Sequence, residues 1–186
     1  MAGIQIAPKR SKRQYRNDLT AEFVRSLLDY DPKTGIFRWK VQHGGMNNRD
    51  VAGHLNPKGY IQISINYRLY RAHRLAFLVT TGNWPKGDID HKNRIKHDNR
   101  LENIRPASQS NNLANQLGSP GRRKSKFKGV YKIAERNTGK IWIAEIRVNN
   151  QRIRLGRFER EEDAYMAYMA AAKKYFGQFA RGHVRS

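Results

Sequence analysis

The feature that most limits the fold is an alternation of apolar and polar residues in the C-terminal part of the chain. Residues 140–148 and 151–158 show this period of two, which is typical of half-buried strands, and the Asn-Asn pair between them suits a two-residue hairpin loop. A further strand is predicted at 129–134, and a helix at about 161–176 with acids in its first turn and lysines near its end. We therefore predict three antiparallel strands and one helix at 127–182.

A separate unit is predicted at 18–115. Thr20 precedes an apolar helical pattern that runs through Leu28, and a second helical pattern covers 74–81. Between them, strands are predicted at 36–39, 60–65 and 69–73, with turns at 31–35 and 56–59. This mixture indicates an α+β fold.

The chain carries 37 lysines and arginines against 15 aspartates and glutamates, a formal charge of +22. So large an excess predicts a polyanionic partner, with nucleic acid ahead of an anionic membrane surface. Two segments concentrate the charge: a basic arm at 1–17 and a Gly/Ser/Pro-containing linker at 116–126. Within the linker, Arg122, Arg123 and Lys124 are predicted to hold DNA phosphates without reading sequence.

Asp90 and His91 are adjacent, and asparagines follow the histidine 12 and 21 residues later, at Asn103 and Asn112. Carboxylate and amide oxygens are hard ligands that suit Mg²⁺, and an imidazole beside them can take a proton from an attacking water near neutral pH. A further amide can fix the orientation and tautomer of such a ring. These residue types in this order indicate a site that cleaves phosphodiesters.

This pattern resembles the HNH homing endonucleases, whose site is a ββα-metal motif of two short strands, a loop and a helix. The last position departs from the family name, since asparagine stands at Asn112 in place of histidine. The resemblance implies that His91 is the general base and that Asn103 orients it. It also implies that Asp90 and Asn112 hold one divalent ion, Mg²⁺ or Mn²⁺.

Four motifs in the second unit carry another resemblance: Lys128-Gly129-Val130-Tyr131, Trp142 to Arg147, Leu155-Gly156-Arg157-Phe158, and Glu161-Glu162-Asp163-Ala164. They are similar to the Apetala-two/ethylene-response-factor DNA-binding domain. Alternation places Glu145, Arg147, Arg152 and Arg154 on one sheet face, and such a face can enter a major groove. These four residues, with Lys128 and Tyr131 from the same match, are the predicted DNA contacts.

Together these observations predict an HNH unit at 18–115, a basic linker at 116–126 and a DNA-binding unit at 127–182. The predicted activity is metal-dependent hydrolysis of double-stranded DNA by a homing or free-standing phage-type endonuclease, acting as a monomer that nicks one strand. A DNA-binding regulator on an inactive HNH scaffold and an RNA-binding, ribosome-associated protein are the alternatives. Arg105 has two interpretations, a phosphate contact or a surface salt bridge.

The sequence lacks features that several classes of protein require. The sequence has no cysteine, so it has no disulfide framework and no thiolate zinc site. No apolar run is long enough to span a membrane, and no signal-peptide core is found near the N-terminus. We therefore expect a cytoplasmic protein, in the host cytoplasm if a phage encodes it, with no membrane partner and no small-molecule cofactor.

Overall fold

A computed structural model describes residues 17–42, 45, 47, 49–116, 125–133 and 141–182. Within these ranges the helices are α1 (Ala21–Leu27), α2 (Ala72–Thr81), α3 (Gln109–Asn115) and α4 (Glu161–Phe176), followed by a 3₁₀ helix at Gly177–Phe179. The strands are β1 (Leu28–Asp31), β2 (Ile36–Trp39), β3 (His54–Leu55), β4 (Ile61–Ile65), β5 (Arg68–Arg71), β6 (Asp88–His91), β7 (Ile104–Ala107), β8 (Val130–Lys132), β9 (Trp142–Val148) and β10 (Gln151–Phe158). The fold is mixed α+β, as predicted. The basic arm before residue 17 and the linker residues Arg122, Arg123 and Lys124 lie outside the described residues.

The first core forms among α1, α2 and the antiparallel sheet β3-β4-β5. Thr20 caps α1 as predicted, because its side chain accepts a hydrogen bond from the backbone N–H of Phe23 at 3.1 Å. Alternation along β4 buries Ile63 and Ile65 in the same cluster as Leu75 of α2. Each such side chain contributes about 1.5–3 kcal/mol by its burial. This core is the support on which the strands of the site rest.

Two boundaries in the first unit differ from the prediction. The helix predicted to include Leu28 ends at Leu27, and Leu28 begins β1, where it pairs with Trp39 of β2. Helix α2 begins at Ala72, so the predicted strand at 69–73 ends at Arg71. At Leu28, pairing with β2 overrides the local helix preference; at Ala72, burial of α2 in the core overrides the local strand preference.

A strand–strand–helix succession follows α2. Strands β6 and β7 pair antiparallel, and their register places Asp90 opposite Arg105. Helix α3 begins after Ser108, whose side chain accepts a hydrogen bond from a backbone N–H of the first turn. Asp90 and His91 thus lie on a strand, and Asn112 lies on the helix that follows its partner strand.

The second unit is the predicted three-stranded antiparallel sheet, in the order β10-β9-β8, with α4 packed on it. Ala144 and Ile146 of β9 are buried in one cluster with Ala164 and Tyr168 of α4. The burial of Ile143 differs from the prediction. Alternation assigns its side chain to the outer face of the sheet, which is the face away from α4, but the residue is only 2 % exposed.

The second unit also packs against α3. Ala114 of α3 belongs to the same apolar cluster as Phe127 and Phe176. The Lys128 ammonium donates hydrogen bonds to the carbonyls of Leu113, Ala114 and Gln116 at 3.1, 2.6 and 2.7 Å. Because the last carbonyls of a helix have no partners within it, these bonds complete the C-terminal end of α3.

Candidate active site

A cleft of about 590 Å³ lies where β6, α3 and the 57–60 turn approach one another. Asp90 and His91 line it from β6, and Asn112 and Asn115 line it from α3. The three residues predicted to act on a phosphodiester, Asp90, His91 and Asn112, therefore converge on one space. Convergence is the geometric condition on which that prediction depends.

Asp90 is a buried carboxylate held from two sides. Its Oδ2 accepts a hydrogen bond from Arg105 Nε at 2.9 Å and lies 2.8 Å from Arg105 Nη2. Asn115 Nδ2 donates to Asp90 Oδ1 at 2.9 Å and to the His91 carbonyl at 2.8 Å. These donors compensate the loss of water around the charge and fix the direction of the carboxylate.

His91 is buried beside an amide and a second histidine. Its Nε2 lies 3.4 Å from Asn99 Oδ1. Because an amide oxygen only accepts, this contact favours the Nε2–H tautomer and leaves Nδ1 as the basic nitrogen. Burial lowers the pKa of His91, an effect opposed by the Asn99 contact and by the charge of Asp90. The ring is therefore neutral near neutral pH and able to accept a proton.

The other histidine, His73 of α2, has its ring centroid 5.0 Å from that of His91 in an edge-on arrangement. Only 3 % of His73 is exposed. Burial holds the pKa of His73 well below its usual value, and the neighbouring Arg71 and Arg74 guanidinium groups lower it further. His73 is thus an uncharged packing partner of the His91 ring.

The donor set around Asp90 fits a hard divalent cation. A carboxylate has about four lone-pair positions, so Asp90 retains accepting capacity beside Arg105 and Asn115. Asn112, half-buried in the cleft wall, adds an amide oxygen. The Oδ1 atom of Asn115 is buried and has no hydrogen-bond partner among the described residues, which suits an oxygen that meets a cation or its bound water.

Residues 70–114 match the family model described as HNH endonuclease. An HNH endonuclease domain occupies residues 70–114. The matched range covers α2, β6, β7 and nearly all of α3, and it includes Asp90, His91, Asn103 and Asn112. A search of curated proteins found no match.

Within the HNH domain, the hydrogen bonds of the Asn103 side chain go to the loop between β6 and β7. Its Oδ1 accepts from the backbone N–H of Asn93 at 3.0 Å, and its Nδ2 donates to the Asp98 carbonyl at 2.8 Å. Asn103 therefore braces the loop between β6 and β7. The amide beside the His91 ring is Asn99, which sequence reasoning missed because loop geometry, not spacing, decides which amide turns toward the imidazole.

Two of the predicted DNA contacts, Arg105 and Lys128, form ionic contacts or hydrogen bonds within the protein. The Arg105 side chain is 9 % exposed, pairs with Asp90 and donates from Nη1 to the Gln178 carbonyl at 3.1 Å. Of the two interpretations of Arg105, the salt bridge is right, but it is buried and not on the surface. Lys128 caps α3, and burial, followed by the charge of Arg94, lowers the pKa of Lys128 to about 8.

The outer face of the second unit carries the predicted basic residues. The register places Arg152 opposite Arg147 and Arg154 opposite Glu145, and all three arginines are exposed. Glu145 is half-buried, accepts from the Tyr131 hydroxyl at 3.4 Å and lies 3.8 Å from Arg152 Nε. Glu145, bonded by Tyr131, thus forms a loose ion pair with Arg152.

A β-bulge in β10 adds one arginine to this face. The pairing shifts between Arg154 and Gly156, so that Gly156 lies opposite Ala144 and Arg157 opposite Ile143. Uninterrupted alternation would have placed Arg157 on the helix side; the extra residue returns it to the outer face. A glycine inside the strand is the sequence signal that could have indicated the bulge.

Two kinds of feature are absent from the residues that the structure describes. No group of three or more His, Cys, Asp or Glu side chains lies close enough together to form a metal site, so a cation at the cleft depends on asparagine as well as Asp90. None of the described helices has the length and apolar character needed to cross a bilayer.

Proposed function

We propose that the protein is a divalent-metal-dependent DNA endonuclease whose HNH domain hydrolyses a phosphodiester bond at the Asp90–His91–Asn112 cleft. The observation that carries the proposal is the convergence of a neutral imidazole, a fixed carboxylate and an amide on one cleft. A carboxylate, an imidazole and an amide have complementary tasks in phosphodiester hydrolysis, which are charge stabilisation, proton removal and positioning.

In this mechanism His91 Nδ1 accepts the proton of the attacking water, while Asn99 holds the ring through Nε2. Asp90, fixed by Arg105 and Asn115, and Asn112 would hold one Mg²⁺ or Mn²⁺ ion. When bound, that ion supplies Lewis-acid stabilisation of the phosphate and of the leaving 3′ oxygen. Hydrolysis with this leaving group gives a 3′ hydroxyl and a 5′ phosphate.

The second unit, in the proposal, binds the target duplex through Arg147, Arg152, Arg154 and Arg157 in the manner of an Apetala-two/ethylene-response-factor domain. Four exposed arginines on one sheet face support this assignment. The described residues hold one HNH domain and one such sheet, which favours a monomer that nicks one strand, as in a homing or phage-type endonuclease.

The direct test incubates the purified full-length protein with supercoiled DNA and Mg²⁺ or Mn²⁺. We expect nicked circles, with 3′ hydroxyl and 5′ phosphate ends by sequencing. His91→Ala should lose at least about 10²-fold in rate, the lower range for a general base. His54→Ala is the matched control, since His54 is exposed on β3 and does not line the cleft.

Metal binding at the cleft can be measured separately from DNA cleavage. Asp90→Asn and Asn112→Ala should weaken Mn²⁺ binding, measured by electron paramagnetic resonance of the free ion, while His91→Ala should retain it. DNA binding without strand breaks in either metal would instead favour a DNA-binding regulator on an inactive scaffold.

A further inference from the structure

We propose that the wall of the cleft formed by Lys58, Arg71, Arg94 and Lys96 around Tyr60 binds the backbone phosphates of the DNA strand next to the scissile bond. We call these five residues the phosphate wall. The inference rests on the proposed function and assigns its substrate-binding residues, which neither the sequence motifs nor the family match identifies.

The cleft is lined by an excess of positive charge. All four cations line the same cleft as His91, and Asp90 is the acidic residue that lines it with them. The charge of Asp90 is already compensated by Arg105. A cleft with four cations and one neutralised acid strongly attracts a polyanion.

The wall is also preorganised. Its two segments are joined because Lys96 Nζ donates to the Lys58 carbonyl at 2.9 Å. The 56–60 turn is closed by Asn56 Oδ1, which accepts from the backbone N–H groups of Lys58 and Tyr60 at 2.9 and 3.0 Å. Cations on such hydrogen-bonded turns lose less conformational freedom when they bind a ligand than cations on a free loop.

Tyr60 fixes the wall beside the general base. The Arg71 guanidinium lies 4.5 Å and the Lys96 ammonium 5.2 Å from the centre of its ring. The same ring is 6.1 Å from the His91 ring. Cation–π contacts thus hold two positive charges on the aromatic ring that lies next to the imidazole. In the proposal, the phosphates that neighbour the bond attacked at His91 contact these charges.

Arg94 carries the most specific argument. Its backbone has φ 68°, a left-handed conformation that glycine and asparagine adopt more easily than arginine. The preference of the backbone therefore does not explain an arginine here. Its side chain is exposed, and in the described part of the chain its guanidinium has no hydrogen-bond or ion-pair partner. An exposed guanidinium without a partner at such a position is expected of a side chain that binds a ligand outside the protein.

The test measures duplex binding by fluorescence anisotropy with the full-length protein in EDTA, over about 50–200 mM salt. Arg94→Asn removes the charge and suits the left-handed backbone, so it does not depend on the tolerance of the fold. Arg94→Asn and Lys96→Ala should each weaken binding about three- to tenfold and reduce the slope of log K against log salt by about 0.9. Lys33→Ala is the matched control, because Lys33 is exposed in a turn of the same unit and does not line the cleft.

The outcomes separate this inference from the proposed nuclease activity. Reduced slopes for Arg94→Asn and Lys96→Ala, with an unchanged slope for Lys33→Ala, support the wall even if no cleavage is found. If Arg94→Asn and Lys33→Ala reduce the slope equally, the wall has no special role and the inference is overturned. In single-turnover cleavage, the wall variants should raise the protein concentration for half-maximal rate.

Discussion

At the scale of single residues, one aspartate shows how the loop that carries Asn99 is held. Asp98 accepts hydrogen bonds from Arg100 Nε and Nη2, both at 2.9 Å, and from Asn93 Nδ2 at 2.7 Å. The Arg100 side chain is the main cause of a pKa of about 2 for Asp98, against 3.8 for an ordinary aspartate. The loop between β6 and β7 is therefore stabilised by an ionised Asp98.

The sign of the pH effect follows from this lowered pKa. A carboxylate whose pKa falls on folding stabilises the protein above its unfolded value, and the contribution is lost as pH falls from about 3.8 to about 2. Asp98→Asn should therefore lower the free energy of unfolding at neutral pH by about 1–2 kcal/mol. It should also flatten the stability profile in this acid window, as measured by urea unfolding.

Glu102 provides the matched control, because Glu102 Oε1 also pairs with Arg100, at 2.8 Å, but its side chain is 73 % exposed. Glu102→Gln should change the unfolding free energy by less than about 1 kcal/mol, as exposed pairs do. Equal acid sensitivity of Asp98→Asn and wild type would show that Asp98 does not stabilise the loop by its charge.

At the scale of elements, the bulge in β10 decides which arginines share the outer face of the sheet. The Gly156 backbone has φ 152°, and a Cβ there would lie 3.0 Å from the Phe158 ring. A side chain at this position would therefore crowd Phe158. The register shift at this bulge returns Arg157 to the side of the sheet that carries Arg147 and Arg152.

Arg157→Ala should therefore weaken duplex binding and reduce the salt slope by about 0.9, as loss of one phosphate contact does. Lys173→Ala removes the same charge from an exposed position of α4, the element on the opposite side of the sheet, and should have a smaller effect. Anisotropy titrations at several salt concentrations measure both. A larger effect of Lys173→Ala than of Arg157→Ala would place the DNA on the helix side of the unit.

The same bulge separates what the sequence pattern predicts from what it does not. Period-two alternation predicted β9 and β10, and the cap at Thr20 was correctly located, because both are set by local chemistry. Alternation could not assign Arg157, since the bulge depends on pairing with β9. At the site, motif spacing found Asp90, His91 and Asn112, but Asn99 and Asn115 depend on how the loop and α3 turn toward the cleft.

At the scale of the whole molecule, the second unit contacts residues that border the cleft of the first. Arg105, which holds Asp90, has its guanidinium 3.6 Å from the centre of the Phe179 ring and bonds the Gln178 carbonyl. Arg181 Nη2 donates to the Lys92 carbonyl, next to His91, at 3.3 Å. The second unit is therefore in direct contact with the arginine that holds Asp90.

Lys128 is the simplest place to break this connection, since its ammonium joins the second unit to the C-terminal carbonyls of α3. Lys128→Met keeps the length of the side chain and removes the donors. Because hydrogen bonds to charged groups contribute about 1.5–3 kcal/mol, the variant should lose at least about 1 kcal/mol in urea unfolding. Displacement of Asn112 and Asn115 on a loosened α3 should also weaken Mn²⁺ binding.

Lys126→Met is the matched control, because Lys126 lies two residues away, is half exposed and pairs only loosely with Glu162, at 3.8 Å. A protein that loses Mn²⁺ affinity with Lys128→Met, but not with Lys126→Met, uses its second unit to shape the nuclease site. If both variants bind Mn²⁺ like wild type, α3 holds its side chains in place without this support. The second unit would then contribute to cleavage only by holding the duplex.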